Sequence, residues 1–176
     1  MKTLICLAVI GASLALGQAQ EYLATLNVAQ EVPTGGGRTG SGTLNLSLSG
    51  TTLTVSGAFS GLSANSTLAH IHGPAAVGVN TGTLYNFGTL GLITLGGTSG
   101  TISGTLNLVP LNSGTYTVAQ QLADLNHDLW YFNIHSSAFT GGEIRGQIVP
   151  VPEPSALALL GCGAASLIWL MRRRSN

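Results

Sequence analysis

Leu129–Ile148, LWYFNIHSSAFTGGEIRGQI, is the stretch from which the fold is read. Trp130, Phe132 and Ile134 alternate with Tyr131, Asn133 and His135. This period-2 pattern puts three apolar side chains on one face of a strand and three polar ones on the other. After a seven-residue connection that contains Gly141 and Gly142, Glu143, Arg145 and Gln147 alternate with Ile144, Gly146 and Ile148. Folded back as a hairpin with Ile134 opposite Ile144, the two runs set His135 across from Glu143, Asn133 across from Arg145 and Tyr131 across from Gln147. A slip of one residue would turn Trp130 and Phe132 into water, so the hydrophobic pattern sets the register.

The rest of the chain extends this pattern. Short Thr/Leu/Val/Ile runs stand between Gly and Ser clusters, and only 7% of residues are charged. The expected fold is all-β, an immunoglobulin-like or related Greek-key β-sandwich with one short helix and hydrophobic helices at both termini. Strands are expected over Glu21–Gln30, Thr43–Leu48, Thr52–Phe59, Leu68–His72 and Thr101–Leu108, with weaker candidates at Thr83–Phe87 and Leu90–Leu95. Thr117–Asn126 reads as the helix, with Val118, Leu122 and Leu125 on one face and His127 near its carboxyl end, where a positive imidazole is favoured. An internal echo also runs through the chain. Ser41–Leu46 recurs as Ser103–Leu108, Thr54-Val55 as Thr117-Val118, and His70-Ile71-His72 as Asn133-Ile134-His135, all at an offset of 62 or 63. Three matches in order suggest a duplicated half-sandwich, although a helix at Thr117–Asn126 argues against equivalence there.

The formal net charge of zero conceals an uneven distribution. Between Glu21 and Val151 only Arg38 and Arg145 are positive, against Glu21, Glu31, Asp124, Asp128 and Glu143, so two minus five leaves −3. No basic stripe is present to hold a phosphate backbone, which excludes nucleic acid as a partner. Both cysteines, Cys6 and Cys162, lie in terminal apolar segments, so a processed domain would carry no thiol.

The two ends read as addresses. Met1-Lys2 followed by the apolar Leu4–Leu16 and small residues up to Ala19 has the form of a secretory signal peptide, assigned to residues 1–19. The β-domain is assigned to 20–150 and a C-terminal signal to 151–176. In that signal Pro152-Glu153-Pro154 ends the last strand, because two prolines flanking a glutamate cannot continue it. Ser155–Met171 then offers seventeen mostly apolar residues, about 25 Å of helix and just enough for a bilayer core. Arg172-Arg173-Arg174 follows, and such clusters stay cytoplasmic, which puts the domain on the far side of the membrane. This arrangement resembles the bacterial PEP-CTERM sorting signal over about the last 25 residues. The resemblance implies recognition by an exosortase, cleavage near Pro152–Pro154 and release to the cell surface or extracellular matrix, in bacteria that make exopolysaccharide.

Four histidines remain. His70 and His72 flank Ile71, so on a strand both imidazoles project from one face while Ile71 points into the core. His135 lies on the polar face of its own strand with Glu143 opposite. Three histidines and a carboxylate suit Zn²⁺ or Cu²⁺. The alternative is that these histidines bond loop carbonyls and Glu143, pinning the Gly73-Pro74 and Gly141-Gly142 turns. Arg145, among Asn133, Tyr131 and the carboxylates, either knits the polar face together or recognises an acidic ligand.

His70–Ala75 together with Trp130–His135 and Gly141–Gln147 resembles the two signature blocks of the CHRD domain family, over about Glu21–Val149. Ser136 and Thr140 stand where members carry Thr and Pro. The resemblance implies an immunoglobulin-like or related sandwich and no defined bacterial function. The first reading is therefore a non-enzymatic exported protein with a binding or structural role, its partners an exosortase and exopolysaccharide or another surface protein. A metal-binding protein or metalloenzyme using His70, His72 and His135 is the second reading. A carbohydrate-binding module, which would need exposed aromatics among Tyr22, Tyr85, Tyr116 and Tyr131, is the third.

Overall fold

The computed structural model describes residues 19–152, together with Gly163 and Met171. The signal peptide assigned to 1–19, apart from its last residue, and Glu153, Pro154 and Arg172–Arg174 of the sorting signal lie outside the described residues, as do both cysteines.

Eight strands follow the alternating runs: β1 Gln20–Asn27, β2 Ser41–Ser49, β3 Thr52–Ser60, β4 Ser66–His72, β5 Thr83–Asn86, β6 Gly100–Asn107, β7 Trp130–Ser136 and β8 Ile144–Pro150. Within residues 19–152 one α-helix, α1, spans Val118–Asn126 between β6 and β7. The fold is all-β, as expected. Every pairing is antiparallel, and the strands form one continuous sheet in the order β5-β4-β7-β8-β1-β2-β3-β6. The sheet curls until its two ends are bridged by the segment after β5. Ile93 pairs with Ile102 of β6, while Ser66 at the head of β4 exchanges backbone bonds with Gly96 and Gly97. Leu90–Leu95 thus serves as a bridge; it does not form a strand. The first strand is likewise shorter than expected, because Val28–Gln30 turns into a 3-10 helix capped by the Asn27 side chain.

The decisive hairpin has the expected register: Ile134 opposes Ile144, Asn133 opposes Arg145 and Tyr131 opposes Gln147. Trp130, Phe132, Ile134, Ile144 and Ile148 are fully buried and join the inner faces of the other strands in one core. The helix docks on that core through Leu125, with Val118 and Leu122 partly buried beside it. Its start is fixed by a capping box in which Thr117 and Gln120 satisfy each other's backbone N–H groups. The Trp130 indole donates to the Tyr116 hydroxyl, which donates to Asp124, so core and helix are tied by polar bonds as well.

The internal echo divides at the helix. Its first and last members are strands in both copies, β2 with β6 and β4 with β7, but Thr54 lies in β3 and Thr117 caps α1. The halves are therefore not equivalent.

One difference from the sequence reading determines the site. The polar face of β7 is not turned to water, since all seven residues of the strand are buried. Two loops cover it, one running from Val28 to Thr39 and the other from Gly73 to Gly82. The Asn80 amide joins them by donating to the Val32 carbonyl, and Arg145 donates up to Asn80 Oδ1 and the Val79 carbonyl. The curled sheet thus has an apolar interior and, behind β4, β7 and β8, a second interior that is polar.

Candidate metal centre

The second interior is built on two neighbouring strands. His70 of β4 sits directly opposite Asn133 of β7, and His72 opposite Tyr131. Residues two apart on a strand share a face, so His70, His72, Asn133 and His135 form a compact grid on the covered side, while Ile71 points into the apolar core. One nitrogen from each of His70, His72 and His135 lies within 4.8 Å of the other two, and all three residues are buried. His70 Nδ1 stands 3.0 Å from His135 Nε2.

The far nitrogens explain how the rings are aimed. His72 Nδ1 is 2.9 Å from the Thr81 carbonyl and His135 Nδ1 is 2.8 Å from the Thr140 carbonyl. A carbonyl only accepts, so both Nδ1 atoms carry the proton and donate, leaving Nε2 with its lone pair directed inward. That is the tautomer a metal-bound imidazole needs, fixed by a backbone acceptor behind it. Burial lowers the pKa of all three rings; in His70, burial with the neighbouring His135 and His72 takes it down to about 4. At neutral pH the cluster therefore presents neutral donors, as Zn²⁺ or Cu²⁺ requires.

The other predicted residues fall in different places. Glu143 does not join the histidines. Its Oε1 accepts from the Ser63 and Thr39 N–H groups at 2.6 and 3.2 Å, which fastens the two loops that hold those residues. Burial works against its charge, but the Ser136 and Ser63 hydroxyls and these N–H groups outweigh it and hold the carboxyl below its ordinary pKa. Arg145, fully buried, does not pair with Glu143 either. Its guanidinium carbon lies 3.4 Å from the Tyr131 ring centroid, and the opposite face of Tyr131 stacks on His72, 4.8 Å between centroids. Arg145, Tyr131 and His72 thus form one stack that braces the cluster from the side. Gln147 donates to the Ala75 and Asp128 carbonyls. Of the sorting motif, only Pro152 is among the described residues, where it is exposed.

Glu31 was not singled out from the sequence. It is buried, and its Oε1 has no hydrogen-bond partner among the described residues. Burial raises its pKa, opposed by Arg145, the Val32 N–H, Arg38 and the Asn133 amide facing it. Only the scarcity of carboxylates in the domain could have drawn attention to it. The candidate sugar-stacking tyrosines, Tyr22, Tyr85, Tyr116 and Tyr131, are all buried, so none of them offers a platform for a carbohydrate ring.

Comparison with known protein families gives two matches. The model described as the CHRD domain matches residues 22–148, and that described as the PEP-CTERM protein-sorting motif matches residues 150–174. No curated protein and no solved structure matches the chain.

Proposed function

The chain belongs to the CHRD domain family and ends in a PEP-CTERM sorting motif, and from that premise we propose that it is a metal-holding binding protein of the cell exterior. The motif directs export and exosortase-dependent sorting to the cell surface or extracellular space. The family is a non-enzymatic one, which favours a bound ion over a catalysed reaction. One observation carries the reading: two buried imidazoles spend their Nδ1 protons on backbone carbonyls, so that their Nε2 lone pairs converge beside a third ring. Three neutral nitrogens at this spacing fit one Zn²⁺ or Cu²⁺ ion.

The test uses full-length protein in detergent, stripped with chelator and dialysed against Zn²⁺ or Cu²⁺. Elemental analysis should find one ion per chain in the wild type and none in a His70→Ala/His72→Ala variant. No stoichiometric metal in the wild type would overturn the reading. A double variant that only lowers the melting temperature would then leave His72 as a pin for the Thr81 loop.

A further inference from the structure

The cluster contains an unfavourable contact. His72 Nδ1 donates to Thr81, so its Nε2 carries a lone pair, yet Nε2 faces Asn133 Oδ1 at 3.2 Å. Two acceptors pointed at each other in a buried site repel, and such a contact needs a cation to become favourable. Rotating the amide of Asn133 does not remove the difficulty. Its other end faces the buried Glu31 carboxylate, whose Oε1 has no other donor among the described residues, so the NH₂ belongs toward Glu31 and the oxygen toward His72. Glu31 is itself held in place, since the Cα of Gly142 presses so closely that an added Cβ would lie 2.7 Å from its carboxylate oxygens. Asn133 is buried and directly opposite His70, so its oxygen projects into the space that the three nitrogens surround.

We infer that Asn133 Oδ1 is the fourth donor of the ion held by His70, His72 and His135, so that the site is a closed N₃O cage. The inference rests on the metal reading above and specifies it further. In a tetrahedral site with metal–nitrogen bonds of 2.0–2.1 Å, neighbouring donors stand about 3.3 Å apart. The 3.0 Å between His70 and His135 and the 3.2 Å between His72 and Asn133 fall just inside that spacing. On binding, the ion takes the place of the proton that His70 Nδ1 shares with His135 Nε2, and His70 carries its proton on Nε2 instead. Four-coordinate sites with no solvent position are structural. The ion therefore joins β4 to β7 and, through Thr81 and Thr140, locks the loops over them. It leaves no position at which a substrate could bind.

Co²⁺ in place of the native ion reports the coordination number through the intensity of its visible bands. The wild-type protein in detergent should give intense four-coordinate bands that azide does not alter. Asn133→Leu should weaken Zn²⁺ binding by about tenfold or more and give bands that azide does shift. Asn133→Asp, which keeps an oxygen at the same place, should retain the intense spectrum and shows that the position tolerates substitution. Wild-type bands that respond to azide, or an Asn133→Leu protein with unchanged affinity and spectrum, would overturn the fourth donor while leaving the three-histidine site standing. Absence of metal from the wild type would overturn both.

Discussion

Three imidazoles this close cannot all be protonated, and that gives the metal-free protein a pH dependence of definite sign. His70 is held down to about 4 and His72 and His135 below the ordinary 6.5, in each case chiefly by burial. The unfolded chain, with histidines near 6.5, binds more protons than the folded one between those values. Stability is thus complete above about pH 6.5 and is lost as pH falls toward 4. Urea midpoints of chelated protein should drop between pH 7 and pH 4.5, and the His70→Ala/His72→Ala variant should flatten that slope. A second residue-scale prediction concerns Gly142, which has φ +125° and whose Cα crowds the Glu31 carboxylate. Gly142→Ala should cost about 1–3 kcal/mol, from strain in the left-handed region and displacement of a buried charge. Equilibrium denaturation would measure it. The grid of His70, His72 and His135 was legible because residues two apart on a strand share a face. Glu31 was not, because a lone carboxylate beside Val32-Pro33 sits in no periodic run that would assign it a side.

At the scale of elements, legibility follows the apolar face. β7 and β8 could be paired residue by residue because every slip exposes Trp130 and Phe132, and α1 could be placed because Val118, Leu122 and Leu125 fall on one helical face. Thr117→Ala should remove about 1 kcal/mol of stability and lower the thermal midpoint without altering the strands, a difference that far-ultraviolet circular dichroism can follow. Leu125→Ala, which empties a fully buried position between α1 and the core, should cost about 2–5 kcal/mol. The loops that roof the polar interior escaped prediction. Their Gly- and Pro-rich runs have no period, and the contacts that hold them, Arg145 with Asn80 and Glu143 with Thr39, join residues 65 and 104 positions apart. Period-2 reading sorts side chains into two faces; it does not say whether the polar one meets water.

For the whole molecule, the proposed site would link metal to fold. An ion that binds only the folded chain raises its stability by about 2.7 kcal/mol when free metal stands at a hundredfold excess over Kd. Differential scanning calorimetry should therefore show a melting temperature that climbs with Zn²⁺ in the wild type and stays level in the double-histidine variant. Deleting Arg172–Arg174 should leave the chain membrane-bound and unprocessed, visible as a larger band in the membrane fraction. The sheet itself orients what is displayed. Both ends of the domain leave from adjoining strands, with Tyr22 paired to Pro150 and Val151 donating to Glu21. Asn27 and Arg145, beside the polar interior, pair at the opposite end of the same ladder, about 16 Å along β8 at the usual strand rise. The segment that leads into the sorting motif thus departs from one pole of the domain while the polar interior occupies the other, as a buoy is moored from its base.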